Sequence, residues 1–346
     1  MNKKIVTFGE IMLRLTPPDN LRITQSRDFQ ANYGGSEANV AISIANYGGE
    51  VDYVTCLPEN ALGDNCISEL RSHNVGTDNI LLGGHRLGTY YMEKASAIRH
   101  STVIYDREGS AFTDLKPGMI DWRHIFEDAG IFHWSGIDAS LTDGLAAVCK
   151  EAIQIADEMG LIISCDINYR KNLWNYGKTP KEVMIPLMEY SDILFGSEGE
   201  YASILGIPAP GFKPTSAKDA IDFQAYDHYC KEISSRMPRC KHIYIALRNV
   251  MSSDHHTLAG ALFSQGTTKL TAVYDIDSII DCIGVGDAFV GALLYAHTAY
   301  DDDQMRVDFA AAASALKNTI AGDYNMVKVP EVEALIAQGG GGEMNR

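Results

Sequence analysis

Short apolar stretches alternate with longer amphipathic stretches along most of the chain. The apolar stretches predict buried strands at residues 4–12, 51–57, 131–134, 161–168, 192–195 and 242–248, with two later strands at 257–263 and 269–274. The amphipathic stretches predict helices at residues 36–47, 62–73, 143–158, 179–190, 197–205, 220–237, 288–299, 305–317 and 331–337. This alternation is typical of an α/β fold with a doubly wound, mainly parallel sheet.

Two regions break the alternation, because they have strand character and no helix between the strands. Residues 89–93 and 102–107 alternate polar and apolar side chains and predict an inserted antiparallel pair. Together with residues 13–30, the region 86–111 is predicted to form a small antiparallel β lid. The core then comprises residues 1–12, 31–85 and 112–338, and residues 339–346 are predicted to be a disordered tail.

The composition excludes several classes of partner. A formal net charge of −16 makes a nucleic-acid or anionic-membrane surface unfavourable, and no apolar run is long enough to span a bilayer. The first apolar stretch is too short for a signal peptide. Because the seven cysteines are scattered and form no CxxC pair, we expect reduced thiols in a cytoplasmic protein without a zinc site.

The stretch from Asp281 to Phe289 carries the strongest chemical signal. Gly284 and Gly286 precede a long apolar helix, so backbone N–H groups can converge at the start of that helix and bind an anion. Asp287 lies where the anion would arrive, which suits it to accept a proton from a hydroxyl that attacks a phosphate. The alternative is a glycine-rich turn in which Asp287 caps the helix.

Other polar residues stand at predicted ligand-binding positions. Gly34 and Gly35 precede a helix whose first turns carry Asn39, although a tight turn with a local cap would look the same. Arg170 follows a predicted strand, where it could bind a carboxylate or form a surface ion pair. Glu200, in a first helical turn, could hold Mg²⁺ through water or merely stabilise its helix.

These segments together resemble the PfkB/ribokinase family of sugar kinases along nearly the whole chain. The family's D-T-x-G-A-G-D motif is matched by Asp281 to Asp287, with Cys282 and Val285 as departures, and its Gly-Gly pair and asparagine by Gly34, Gly35 and Asn39. Its N-x-x-E element is matched only by Glu200, because Ser197 replaces the asparagine. The resemblance implies a ribokinase-like fold and a kinase that uses ATP and Mg²⁺, and it raises a monovalent cation as a further cofactor.

The resemblance also implies roles for individual residues. Asp287 would be the base, and the N–H groups of Gly284, Val285 and Gly286 would stabilise the transferred phosphoryl group. The nucleotide would contact Ser197, Gly284, Gly286, Asn318 and Gly322.

Within the family, four segments resemble the 2-keto-3-deoxygluconate kinases: residues 8–15, 105–111, 166–170 and 315–323. That likeness implies that Gly34, Tyr90, Tyr105, Arg107 and Arg170 contact a sugar acid, whose carboxylate arginines would suit. Tyrosines on a lid strand are also common packing residues. A neutral sugar such as fructose or ribose, and a non-catalytic sugar-binding protein, stay as alternatives. Exposed lid strands further suggest a homodimer formed through the lid.

Overall fold

The computed structural model describes residues 4–96 and 98–339. The strands are β1 (Ile5–Phe8), β2 (Met12–Thr16), β3 (Gln30–Gly34), β4 (Val51–Val54), β5 (Cys56–Leu57), β6 (Leu81–Leu82), β7 (Thr89–Glu93), β8 (Thr102–Asp106), β9 (Ile131–Ser135), β10 (Ile162–Asp166), β11 (Ile193–Ser197), β12 (His242–Val250), β13 (His256–Ser264), β14 (Thr267–Leu270) and β15 (Tyr274–Ile276). The helices are α1 (Ser36–Asn46), α2 (Ala61–Ser72), α3 (Trp122–Ile125), α4 (Gly136–Leu141), α5 (Asp143–Glu158), α6 (Pro180–Met188), α7 (Glu198–Leu205), α8 (Phe223–Arg236), α9 (Val285–Ala299), α10 (Asp303–Lys317) and α11 (Val329–Ala337).

The large sheet has nine strands in the order β14-β13-β12-β11-β10-β9-β1-β4, and β15 pairs with β13. The six strands from β12 to β4 run parallel, and the strands beyond β12 are antiparallel. This confirms the predicted doubly wound, mainly parallel sheet. Helices cover both of its faces, as the near-continuous apolar strands require.

The core consists of two layers of buried side chains, one on each face of the large sheet. One layer joins the sheet to α3, α5, α6, α7 and α8 and includes Trp122, Trp134 and Tyr201. The other joins it to α1, α9 and α10, and its small residues let these helices approach closely. The second layer is the one that brings α1 beside the start of α9.

A separate four-stranded sheet, the lid sheet, has the order β3-β2-β7-β8. Its outer pairings, β2 with β3 and β7 with β8, are antiparallel as predicted. The central pairing of β2 with β7 is parallel, which the alternation pattern did not indicate. Strand β3 continues to Gly34, so the lid sheet extends four residues past the predicted boundary at residue 30 and runs directly into α1.

Other predicted bounds differ in ways that affect the site. Helix α9 begins at Val285 rather than at residue 288, which places Gly286 and Asp287 in its first turn. The short helices α3 and α4 were missed because each is under two turns long. Residues 340–346 of the predicted tail lie outside the described residues. No helix in the described ranges is long and apolar enough to cross a membrane.

Candidate active site

A cavity of about 360 Å³ lies between the carboxyl ends of the parallel strands, the lid sheet and the start of α9. This is the edge at which open α/β sheets bind ligands. The cavity brings together most of the residues singled out from the sequence. Those that line it are Gly34, Gly35, Asn39, Tyr90, Tyr105, Arg107, Arg170, Ser197, Glu200, Gly284, Val285, Gly286 and Asp287.

Asp287 is held at the cavity wall by the first turns of α1. Its Oδ2 atom accepts a hydrogen bond from Asn39 Nδ2 at 2.7 Å, and its Oδ1 atom accepts one from Ser36 Oγ at 2.9 Å. Ser36 Oγ in turn accepts from Asn168 Nδ2 at 2.8 Å. Burial raises the pKa of Asp287, and the donors Asn39 and Ser36 oppose that rise. The carboxylate is therefore fixed in direction and is more basic than an exposed one.

The amide groups at the start of α9 form a cradle beside Asp287, contributed by Gly284, Val285 and Gly286. Gly284 has φ of 76°, and a β-carbon there would overlap the backbone carbonyl of Asp323. Only glycine fits both constraints. Ser314 Oγ donates to the carbonyl of Val285 at 2.9 Å and so anchors the first turn from α10. The cradle is thus a rigid helix start whose N–H groups can meet an anion.

Arg107 is already paired in this structure. Its guanidinium binds the carboxylate of Glu10, with Nε 2.7 Å from Oε2, and Ser110 Oγ donates to the other oxygen of Glu10. The guanidinium also lies 5.6 Å from the ring centre of Tyr105. Glu10 follows β1 at the sheet edge and was not singled out from the sequence. The pair therefore attaches the lid to the core and aims Arg107 at the cavity.

Arg170, Ser197 and Glu200 form a second polar group that lines the cavity. Glu200 Oε2 accepts hydrogen bonds from the backbone N–H and the hydroxyl of Ser197, at 2.7 and 2.9 Å, which makes it the capping-box residue of α7. Arg170 Nη1 lies 3.5 Å from Glu200 Oε1. The structural alternatives given from the sequence are therefore both present: Arg170 forms an ion pair, and Glu200 stabilises the start of its helix. Both side chains nonetheless line the cavity.

Three further carboxyl groups, those of Glu37, Asp138 and Asp166, line the cavity, and none of them was named as a site residue from the sequence. Burial raises the pKa of Glu37 to about 7 and raises those of Asp138 and Asp166 well above their ordinary value. Both Asp138 oxygens and Oε1 of Glu37 are buried without a hydrogen-bond partner among the described residues. Much of the acidity of this wall is therefore suppressed near neutral pH.

A buried ion cluster connects the lid sheet to the loops around α9. Arg14 of β2 lies 2.8 Å from Asp281 and 2.7 Å from Asp323. The hydroxyl of Tyr90 in β7 donates a hydrogen bond to Asp323. Asp323 also lines the cavity. Sequence reasoning noted the segments that contain these residues but not their contact, since Arg14 and Asp323 are 309 positions apart.

The structure does not bring Asn318 and Gly322 into the cavity. Asn318 is buried, and its Nδ2 donates to the carbonyl of Ser314 at 2.9 Å, as a residue that ends α10 would. Its own carbonyl accepts from the backbone of Ile280 at 2.8 Å. Gly322 donates its N–H to Asp281 at 3.2 Å. Their contact with the nucleotide stays a prediction, and the contacts seen here are within the protein.

The chain is similar to carbohydrate kinases of known sequence and known structure. The profile of the pfkB family carbohydrate kinase matches residues 2–227. The chain is 32% identical over 344 residues to the 2-dehydro-3-deoxygalactonokinase of Haloferax volcanii, with 99% of each chain covered. The crystal structure of 2-dehydro-3-deoxygluconokinase from Thermotoga maritima is similar with a TM-score of 0.90 at 40% identity, covering 96% of this chain and 99% of that one.

A more distant structure shares the fold. The fructokinase of Xylella fastidiosa, crystallised with bound ATP, has a TM-score of 0.75 at 22% identity and covers 98% of this chain and 99% of its own. The family match spans well over half of the chain, and the Haloferax volcanii relative is covered along its whole length. The chain belongs to the pfkB family of carbohydrate kinases.

Proposed function

We propose that this sugar kinase transfers the γ-phosphoryl group of ATP to the primary hydroxyl of 2-keto-3-deoxygluconate and forms the 6-phosphate. The observation that carries the proposal is the position of Asp287, a clamped carboxylate beside the amide cradle and inside the cavity. The similarity to two kinases of 2-dehydro-3-deoxy sugar acids supports the choice of substrate class.

In this proposal Asp287 accepts the proton of the attacking hydroxyl. Asn39 and Ser36 hold its carboxylate so that one lone pair is directed at the incoming oxygen. The N–H groups of Gly284, Val285 and Gly286 stabilise the negative charge on the phosphoryl group in flight. The lid sheet covers the cavity and excludes water from the reacting groups.

The residues present fit a Mg²⁺–nucleotide complex. Mg²⁺ is commonly bound by one or two carboxylates together with water and substrate phosphates. Glu200 and the buried Asp166 are the carboxylates that would hold Mg²⁺ through water, and the ion would neutralise charge on the phosphates. Asp166 carries a raised pKa because of burial first and Glu200 and Asp287 next, so a nearby cation would favour its ionised form.

The two arginines of the cavity give the reason for an acidic substrate. Arg107 and Arg170 approach from the lid and from the sheet edge, and a sugar carboxylate could bind between them. A second candidate, a neutral sugar such as fructose, is favoured by the partners that both already have, Glu10 and Glu200. If the substrate is a neutral sugar, the two arginines position Glu10 and Glu200, and these acids bind the sugar hydroxyls.

A coupled ADP-release assay with MgATP tests the proposal. It compares 2-keto-3-deoxygluconate, its C4 epimer 2-keto-3-deoxygalactonate, fructose and ribose at equal concentrations, with Asp287→Asn as the control for background ATP hydrolysis. A preference of at least tenfold for the keto acids over fructose and ribose is expected. Preference for a neutral sugar would refute the proposed substrate. Rates at background with every sugar would refute the proposed kinase activity. Buffers with potassium and with tetramethylammonium test the predicted monovalent cation.

We also propose a cytoplasmic homodimer that forms through the lid sheet. The side chains of Leu21, Ile104 and Tyr105 are exposed on the lid, and all seven cysteines are free. Light scattering after size exclusion should give twice the chain mass. Ile104→Lys should give a monomer; if the wild type is itself monomeric, the lid interface is wrong.

A further inference from the structure

Lys317, the last residue of α10, is fully buried next to the proposed phosphoryl site and has no part in the mechanism described above. Its Nζ donates a hydrogen bond to the carbonyl of Ile320 at 3.1 Å. Burial lowers the pKa of the ammonium, and Asp281 and Asp323 oppose that decrease. A lysine is rarely buried in full unless its charge is used, because removing an ammonium from water is costly.

The stem of Lys317 packs against the first residue of the amide cradle. Its Cε atom lies 3.4 Å from the position that a β-carbon of Gly284 would take. Lys317 is not one of the residues that line the cavity, so the ammonium lies behind the wall that the cradle forms. The last carbon of the side chain therefore lies against Gly284, and the ammonium that it carries is close to the cradle and shielded from solvent.

No carboxylate neutralises this ammonium directly. The two nearby acids, Asp281 and Asp323, are in contact with Arg14 at 2.8 and 2.7 Å, whereas no carboxylate in the described ranges lies within 4.0 Å of Lys317 Nζ. Arg14 already balances much of the charge on the two acids. The ammonium thus adds positive potential at the start of α9, in a buried region where charges act more strongly than in water.

We propose that Lys317 is a built-in cation behind the amide cradle, and that it strengthens binding of the polyphosphate and stabilises the phosphoryl group during transfer. The inference rests on the proposed kinase function and deepens it. Lys317 acts here as a positioning residue, because it reaches the phosphates through Gly284 and through its field. The same helix start that supplies N–H donors would then carry a full charge in addition to the helix dipole.

Two neutral variants test the charge. Lys317→Met keeps most of the stem, and Lys317→Gln keeps a donor toward Ile320. Isothermal titration with inorganic tripolyphosphate, which needs no sugar and no turnover, should show about tenfold weaker binding for both. In the ADP-release assay, kcat should fall about tenfold while the KM for sugar stays within twofold. Lys317→Arg, which keeps the charge, should retain tripolyphosphate binding.

Lys328→Met is the matched control, since Lys328 is exposed, contacts Asn46 and changes the net charge equally. It should bind tripolyphosphate as the wild type does. A folded neutral variant with unchanged tripolyphosphate affinity and kcat would overturn the inference, and so would an equal loss in Lys328→Met. If one neutral variant fails to fold, the other decides. A wild type that binds tripolyphosphate but phosphorylates no sugar would refute the proposed function and leave this inference standing.

Discussion

Arg14 and Asp323 form a buried ion pair, with 2.7 Å between Nη1 and Oδ1, that joins the second strand of the chain to the segment after α10. A second contact from Arg14, to Asp281, lies 2.8 Å away. Both acids flank the cradle that begins at Gly284. One guanidinium therefore connects the lid sheet to the loops on either side of the cradle.

Replacing Arg14 should destabilise the fold strongly. Arg14→Met leaves two buried carboxylates with one cation fewer, and breaking a buried pair in this way costs about 3–5 kcal/mol. Urea unfolding monitored by tryptophan fluorescence would measure the loss. Arg123→Met removes an exposed pair with Glu158 and should cost less than about 1 kcal/mol. Similar losses in the two variants would show that the Arg14 cluster contributes little.

Asp287→Asn should nearly abolish turnover and leave sugar binding intact. The amide keeps the size of the carboxylate but cannot accept the hydroxyl proton, and a general base contributes about 10²–10⁴ in rate. We expect kcat to fall by roughly 10³, with less than a fivefold change in the dissociation constant of the sugar measured by titration. Turnover near that of the wild type would show that another group takes the proton.

Arg170→Met should weaken binding of a sugar acid. A hydrogen bond to a charged group contributes about 1.5–3 kcal/mol, which corresponds to roughly a 10- to 100-fold increase in KM for the keto acid. The KM for ATP should stay within threefold and serves as the internal control. An unchanged KM for the keto acid would assign Arg170 to its contact with Glu200.

Glu37 should make the fold less stable as the pH rises. Burial raises its pKa from 4.5 to about 7, so the folded state holds the proton more tightly than the unfolded state does. The stabilisation that protonated Glu37 gives the folded state is complete below about pH 4.5 and is lost as the pH rises through about 7. The free energy of unfolding changes by at most about 3 kcal/mol.

Glu37→Gln removes this dependence. The variant should gain unfolding free energy relative to the wild type between pH 5 and pH 8, as measured by urea titration at both values. Glu127→Gln, at an exposed carboxylate, should gain nothing over the same range. The raised pKa would be contradicted if the unfolding free energy of the wild type, relative to that of Glu37→Gln, stayed constant or increased from pH 5 to pH 8.

Gly34→Ala should displace Asp323. A β-carbon at Gly34 would lie 2.6 Å from Asp323 Cγ and 2.9 Å from the Tyr90 hydroxyl. We expect a loss of about 1–3 kcal/mol of unfolding free energy and a reduced affinity for the sugar. Gly199→Ala meets no atom within 4 Å and is the control, expected to be neutral or slightly stabilising. Equal behaviour of the two alanine variants would show that the site tolerates a side chain at Gly34.

The pattern of apolar and polar residues predicted the elements of this fold that are set by neighbouring residues in the sequence. The parallel strands are apolar runs between amphipathic helices, and Gly284 and Gly286 mark the start of α9. The parallel pairing of β2 with β7 depends instead on how two distant segments meet, which periodicity does not encode. The bound of α9 was placed three residues late because Gly284 to Asp287 is polar and glycine-rich despite entering the helix.

The candidate site divides along the same line. Asp287 was singled out because it follows glycines and Arg170 because it follows a predicted strand, whereas Arg107 came from the family resemblance; all three line the cavity. Glu10 and Asp138 were missed, since a single acid at the end of an apolar stretch looks like ordinary capping or turn chemistry. The partners of Arg107 and Glu200 could not be read from the sequence either, because Arg107 and Glu10 are 97 positions apart and the pairing arises from packing of the lid on the core.

The hydrogen bond from Asn39 to Asp287 spans 248 positions, so the two sides of the candidate site are synthesised far apart in time. The ribosome needs roughly 10 to 50 s to add that many residues. Until α9 leaves the exit tunnel, the apolar face of α1 that packs against it has no native partner. The nascent chain therefore exposes an apolar helix surface through most of translation. A truncated product that ends before Val285 should aggregate or be bound by chaperones.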